Sequence, residues 1–169
     1  ANTFGCLING NGLLPRSYTS VKPAFLAYLR DTSSIWKEGF FNNIGADGKH
    51  YNLFLSVGDE TVNPYIHLII QGAGLNLHTG DQVYIQSINK SGFVTGVYYI
   101  NDFGSVFSPP IVTSETKVFK SNQSSIGILS VVKRDSVNRI LSCTFSFDAV
   151  DTLGNIVQIR DGRFDIRTQ

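Results

Sequence analysis

Residues 140–166 read ILSCTFSFDAVDTLGNIVQIRDGRFDI, and the alternation within them decides the fold class. Leu141, Cys143, Phe145, Phe147 and Ala149 share one parity, while Ser142, Thr144, Ser146 and Asp148 share the other. A period of two with a polar reverse face marks a half-buried antiparallel strand, because successive side chains of an extended chain point to opposite sides. Asp151–Asn155 (DTLGN) then supplies a turn. Asp and Asn bond back to nearby backbone there, and Gly accepts a positive φ. Val157 and Ile159 resume the odd parity, whereas Phe164 and Ile166 are even. A slip of one residue needs a bulge or a very tight turn, and Gly162 suits either. The few residues that remain favour the bulge. The stretch therefore reads as scaffold, a self-complementary closing hairpin at the edge or seam of a sheet.

Working outward, Thr3–Asn9, His50–Val57, Tyr65–Gln71, Asp81–Ile88 and Ser125–Lys133 are β-rich runs bounded by Gly, Asn, Asp or Pro. GVYYIN and ETKVFK are weaker strands, and Arg134–Asn138 (RDSVN) links two of the stronger ones. Lys22–Asp31 (KPAFLAYLRD) suits a short helix or an extended segment. Turn signals recur about every 10 to 14 residues, the rhythm of an antiparallel sandwich or barrel. The expectation is a single all-β domain over residues 1–169, an antiparallel β-sandwich or flattened barrel, with at most one short helix near 22–31.

Composition narrows the function classes. Charged residues make up 16% of the 169, against about 25% in typical soluble proteins, and Ser, Thr, Asn and Gly fill the difference. That mix suits a secreted or cell-envelope β-protein. The formal charge is +1 with no basic block, so neither a nucleic-acid footprint nor a polybasic membrane patch is visible. No apolar run approaches the roughly 18 residues of a spanning helix. The chain has no methionine, even at position 1, which points to a processed or trimmed chain. Membrane attachment is expected only through a lipid anchor upstream of Ala1.

Two segments carry a family resemblance. NTFGCLINGNGLLPR (Asn2–Arg16) resembles the opening of uncharacterised lipoprotein domains of Bacteroidetes, in which an NTFGCLVNG-like strand precedes a short apolar run and Pro. Ser124–Arg167 resembles their closing region, with a GTFSF-like strand and a terminal GRFDI-like strand in the same order. The match covers about a third of the chain, at its two ends. Cys143 stands where the family often has glycine. The resemblance implies a β-fold and an envelope lipoprotein, periplasmic or at the outer-membrane surface. It implies no activity, so no functional residue is carried over.

Candidate chemistry is sparse. Cys6 and Cys143 share their parity with apolar neighbours and both read as inward. An oxidising envelope permits a disulfide between them, and two separate buried thiols are the other reading. His50, His67 and His78 form no ligand pair of metal-site spacing, and no metal or other cofactor is expected. His67 reads as solvent-facing between Ile66 and Leu68; His78 lies in a Gly-bounded turn near Asp81. Most carboxylates read as turn formers, and Asp148 suits a cross-strand Lys or Arg. GxSxG and Walker spacings are absent. Trp36, Phe40, Phe41, Tyr98, Tyr99 and Phe103 lie near glycines, where flat rings can stack on sugar faces or fill the core. Trp36, Tyr98 and Tyr99 are the ligand-binding candidates, and no catalytic residue is assigned. The leading expectation is a non-catalytic envelope domain that binds a protein or glycan partner or serves a structural role. A glycan-binding module is the alternative, and a carbohydrate-active hydrolase is the second.

Overall fold

The structure of the chain, a computed structural model, describes residues 3–14, 25–31, 51–59, 65–87, 92–101, 116–124 and 126–167. Among these residues there is no helix, and eleven strands form one hydrogen-bonded sheet. In chain order they are β1 (Thr3–Ile8), β2 (Asn11–Leu13), β3 (Phe25–Asp31), β4 (Tyr51–Asp59), β5 (Tyr65–Leu75) and β6 (Gln82–Ile85). There follow β7 (Val94–Asn101), β8 (Lys117–Ser121), β9 (Gly127–Asp135), β10 (Ile140–Val150) and β11 (Ile156–Arg167).

Five of them close a barrel: β10 pairs β9, then β6, β7 and β8 follow, and β8 returns to β10. Two wings leave this ring, β11–β1–β2 from β10 and β5–β4–β3 from β7. β3 comes back into contact with β11, so the wings also meet as the layers of a sandwich. One apolar cluster runs through both parts. It joins Phe4, Cys6 and Leu13 of one wing to Leu129, Phe145 and Phe147 of the ring and to Leu55, Val57 and Leu68 of the other wing.

The hairpin of residues 140–166 is a seam and not an edge. β10 pairs with β9, β11 and β8, and β11 is itself covered by β1. The expected bulge is present. Phe145 faces Gly162 while Phe147 faces Ile159, so β11 carries one extra residue at Arg160–Asp161. The extra residue returns Phe164 and Ile166 to the buried face already held by Val157 and Ile159. Its positive φ of 49° belongs to Asp161, not to Gly162. Gly162 serves space instead: a Cβ there would lie 2.4 Å from Phe145 Cε2. Phe145 stacks at the centre of an aromatic group, with ring centroids 5.7 Å from Phe4 and 6.2 Å from Phe164. The predicted cross-strand partner of Asp148 is Arg160, whose Nη2 donates to Asp148 Oδ1.

Two alternatives that the sequence leaves open are decided. Phe25–Asp31 is not helical; it is β3, paired in unbroken register with β4 from Phe25↔Val57 to Asp31↔Tyr51. A ten-residue helix is marginal by itself, whereas this strand satisfies its backbone groups against β4. The disulfide is also absent, as Cys6 and Cys143 are free and buried. β11 lies between β1 and β10. Two strand spacings, roughly 9–10 Å, therefore part the cysteines, beyond the ~7 Å Cα limit for bridging. Burial pushes both thiols up to about 12.

Phe145→Ala is expected to cost about 3–5 kcal/mol in urea unfolding, and Gly162→Ala about 1–3 kcal/mol through overpacking. The second substitution should cost less in the Phe145→Ala background, because the ring it strikes is gone. Additive losses would show that the two positions do not touch. Neither cysteine should react with a thiol reagent until the chain unfolds, and reductant should leave the Tm unchanged. A Tm lowered by reductant would mean that a bridge exists.

Candidate functional site

Three local irregularities bring polar side chains together at one end of the core. The first is in β5. Tyr51 faces Leu75 while Leu53 faces Gly72, so β5 has an extra residue at Ala73–Gly74. Gly74 takes a φ of 62°, and its N–H donates to Asn52 Oδ1 at 3.2 Å.

The second is the turn that follows. Asp81 Oδ2 accepts the His78 N–H at 2.8 Å, and the Asp81 N–H donates to His78 O at 3.0 Å. β9 holds this turn in place. The Gly80 N–H donates to Val131 O at 2.8 Å, and the Arg134 N–H donates to Thr79 Oγ1 at 2.9 Å.

The third is a bulge in β9. Ser142 faces Lys133 but Cys143 faces Val131, which leaves Val132 as the extra residue. Past it the parity reverses, and Arg134 falls opposite the buried Leu141, on the core side. The Arg134 guanidinium therefore lies over the Tyr51 ring, 5.0 Å from its centroid. Stacking of this kind fixes the plane of the guanidinium.

Tyr51, Asn76, His78, Thr79, Arg134 and Ser136, with the buried Leu77, line an open groove of about 690 Å³. That volume lies within the usual range of small-molecule sites, about 300–1,000 Å³. Ser136 rides on a turn fixed by Asp135, which accepts the Asn138 N–H at 2.8 Å and Nδ2–H at 2.9 Å. Asn138, joined by Lys133 at 3.2 Å, holds the Asp135 carboxyl down at about 2. The groove thus has one stacked aromatic–cation wall and a rim of amide, imidazole and hydroxyl groups.

A second polar cluster sits on the far face of the β5 wing. Ser56 Oγ and His67 Nε2 are hydrogen-bonded at 2.6 Å, and both residues are buried, at 4% and 2% exposure. Tyr99 is the cross-strand neighbour of His67, its ring centroid 6.2 Å away. The Ser–His distance is that of a nucleophile and its base. Burial nevertheless keeps substrate from Ser56 Oγ, and the pair reads as a buried structural contact. The solvent-facing reading of His67 is corrected, because the β5 wing buries residues on both faces, Ile69 with His67 and Leu68 with Ile70.

The ligand candidates fare unequally. Tyr98 belongs to the core at 5% exposure, packed on Phe119 with centroids 6.0 Å apart. Tyr99 points to the opposite face beside His67, so the adjacent tyrosines form no common platform. Trp36, Phe40, Phe41, Phe103 and His50 lie outside the described residues. His78 and Asp81 do meet, Nδ1 to Oδ2 at 3.3 Å, on the groove's rim. Among the described residues no three His, Cys, Asp or Glu side chains converge to hold a metal. Tyr51 and Arg134, the two central groups of the groove, escape sequence reading. The doubled Val131–Val132, which breaks alternation before Lys133 and Arg134, is the signal that marks the bulge.

The buried imidazole yields a pH prediction. Burial lowers His67 from 6.5 to about 4. Below pH 6.5 the unfolded chain binds a proton that the folded chain refuses until about pH 4, so stability from this group is complete only above that window. Unfolding free energy should fall by up to about 3 kcal/mol from this source between pH 7 and pH 4. His67→Gln should lose that part of the slope, and equal slopes in the two proteins would place the imidazole in solvent. Comparison with known proteins adds no relative: no family model, curated protein or solved structure matches the chain.

Proposed function

We propose that the chain is a non-catalytic domain of a bacterial cell envelope that binds a glycan in the groove between the β5–β6 loop and the end of β9. The observation that carries this reading is the groove itself, open to solvent, with Arg134 stacked on Tyr51 beside Asn76, Thr79 and Ser136. Sugars offer hydroxyl groups that need both donors and acceptors, and such a rim supplies both. A hydrolase needs two carboxylates facing across about 5–10 Å of cleft. Here Asp81 and Asp135 are each tied into their own turns, and no carboxylate is among the described residues lining the groove. The envelope assignment, with attachment through an upstream lipid anchor, rests on the likeness of both chain ends to envelope lipoproteins and on the low charge content.

Glycan-array screening followed by calorimetry tests this reading. Asn76 is exposed on the rim, so Asn76→Trp should fill the groove, abolish binding and leave the Tm unchanged. Binding that survives Asn76→Trp would move the site elsewhere, and release of reducing ends from a bound glycan would make the chain a hydrolase.

A further inference from the structure

Exposed apolar side chains are spread unevenly over the molecule. Among the described residues, every large one lies on or beside β2, β6, β9, β10 and β11, and none is on β4, β5, β7 or β8. On the outer face of that layer they form a strip. Tyr84, 52% exposed, faces the half-buried Ile128 across β6 and β9. Ile126, 61% exposed, lies two residues from Ile128 on the same face, past the inward Gly127. Beyond it Val150 faces Ile156, 59% exposed, across β10 and β11, and Leu153, 86% exposed, tops the adjoining turn. Strand spacings make the strip roughly 25 Å long. Its outward neighbours on β9 and β10, Ser130, Thr144 and Ser146, keep the polar-outside pattern, so the strip is an exception within one sheet face. An apolar patch rimmed by polar residues marks a surface that another molecule covers.

We propose that the occupant is a second copy of this chain, the two sheets packing face to face about a twofold axis through the middle of the strip. Charge favours a copy over other partners. The charges on this face come largely as pairs of opposite sign, Arg160 with Asp148, Arg163 with Asp165 and Lys133 with Asp135. A face of nearly balanced sign meets its own copy without net repulsion. Nucleic acid or an anionic bilayer would call for a basic excess instead. Area points the same way. At about 3.3 Å per residue and 4.8 Å between strands, β6, β9, β10, β11 and β1 spread over roughly 700 Å². One partner contributes about 800 Å² to an interface of standard size. A twofold axis turns the strip end for end, so Tyr84 of each copy meets Ile156 of the other. The groove sits near Arg134, roughly 25 Å along β9 from Ile126, so the dimer leaves two grooves open. Two open sites on one particle would bind a repeating ligand more tightly than either site alone. The dimer itself is independent of the glycan-binding reading.

Sedimentation equilibrium over the micromolar range tests the proposal. The mass should rise with concentration from 18.6 kDa towards twice that value. Ile156→Glu and Tyr84→Lys should each weaken the dimer by about tenfold or more, because a twofold interface counts every substitution twice. Both side chains are exposed, so the Tm of the dilute protein should not change. An equimolar mixture of the two variants should recover the dimer, since the introduced lysine of one copy then meets the introduced glutamate of the other. A monomer at every concentration would overturn the proposal. So would a dimer indifferent to both substitutions, which would place the interface off the strip. Loss in each variant without recovery in the mixture would overturn the twofold pairing. A monomer that sediments with phosphatidylcholine vesicles, and no longer does so as Ile156→Glu, would give the strip to lipid and overturn the dimer.

Discussion

The centre of the barrel is set by the close approach of Phe147 to two glycines, its ring against Gly96 and its Cβ against Gly127. Five strands enclose too little space for a large side chain from every wall. Phe147 of β10 fills the interior, and Gly96 of β7 and Gly127 of β9 yield to it. A Cβ at Gly96 would lie 2.4 Å from Phe147 Cζ, and one at Gly127 would lie 2.3 Å from Phe147 Cβ. One side chain of β10 thus sets its spacing both to β9, its neighbour in sequence, and to the more distant β7. Gly162 under Phe145 repeats the arrangement one residue pair further along β10, at the junction with the β11 wing. The aromatic residues of one strand set the spacing of its neighbours, and the glycines make that spacing attainable.

Closure of the ring needs a second device, because its last links are short. β6 meets β7 in parallel at a single pair, Ile85↔Val94, and β8 meets β10 at two pairs. Ser121 bridges this gap. Its buried Oγ donates to Gln86 O at 2.9 Å and accepts the Gly96 N–H at 3.1 Å, which joins the ends of β6, β7 and β8. Such a hydroxyl has both its roles filled in a dry site, where leaving either backbone group unpaired would cost about 1–3 kcal/mol. The barrel is closed by packing in its middle and by this polar knot where the ladders run out.

The groove follows from the same architecture. Regular strands would have turned Arg134 outward and carried β5 straight past Tyr51. The bulges at Val132 and at Ala73–Gly74 change both directions at the same end of the core. Each costs a ladder hydrogen bond, and each is compensated locally, by Thr79 Oγ1 on the Arg134 N–H and by Asn52 Oδ1 on the Gly74 N–H. The polar groups that line the groove are therefore held by backbone contacts before any ligand is present. The Ser56–His67 pair shows the contrary case, in which groups of catalytic type are brought together where no substrate can reach them.

The sequence by itself determined the β class, most strand positions, the hairpin of 140–166 and its bulge, because alternation and turn chemistry are local properties of a chain. Phe145 and Phe147 are legible as core for the same reason. Strand order, the ring closed by β8 and the placement of β11 between the cysteines came only with the tertiary structure, since parity says which face is buried and nothing about which strand lies next. His67 shows this limit, as its wing is buried on both sides and the polar-outside rule does not apply to it. The groove was the least legible part. His78 and Asp81 stood out as a near pair, but Tyr51 and Arg134 are 83 residues apart. They meet only because a one-residue bulge reverses the parity of β9, and side-chain direction after a bulge is decided by the partner strand that has to accommodate it.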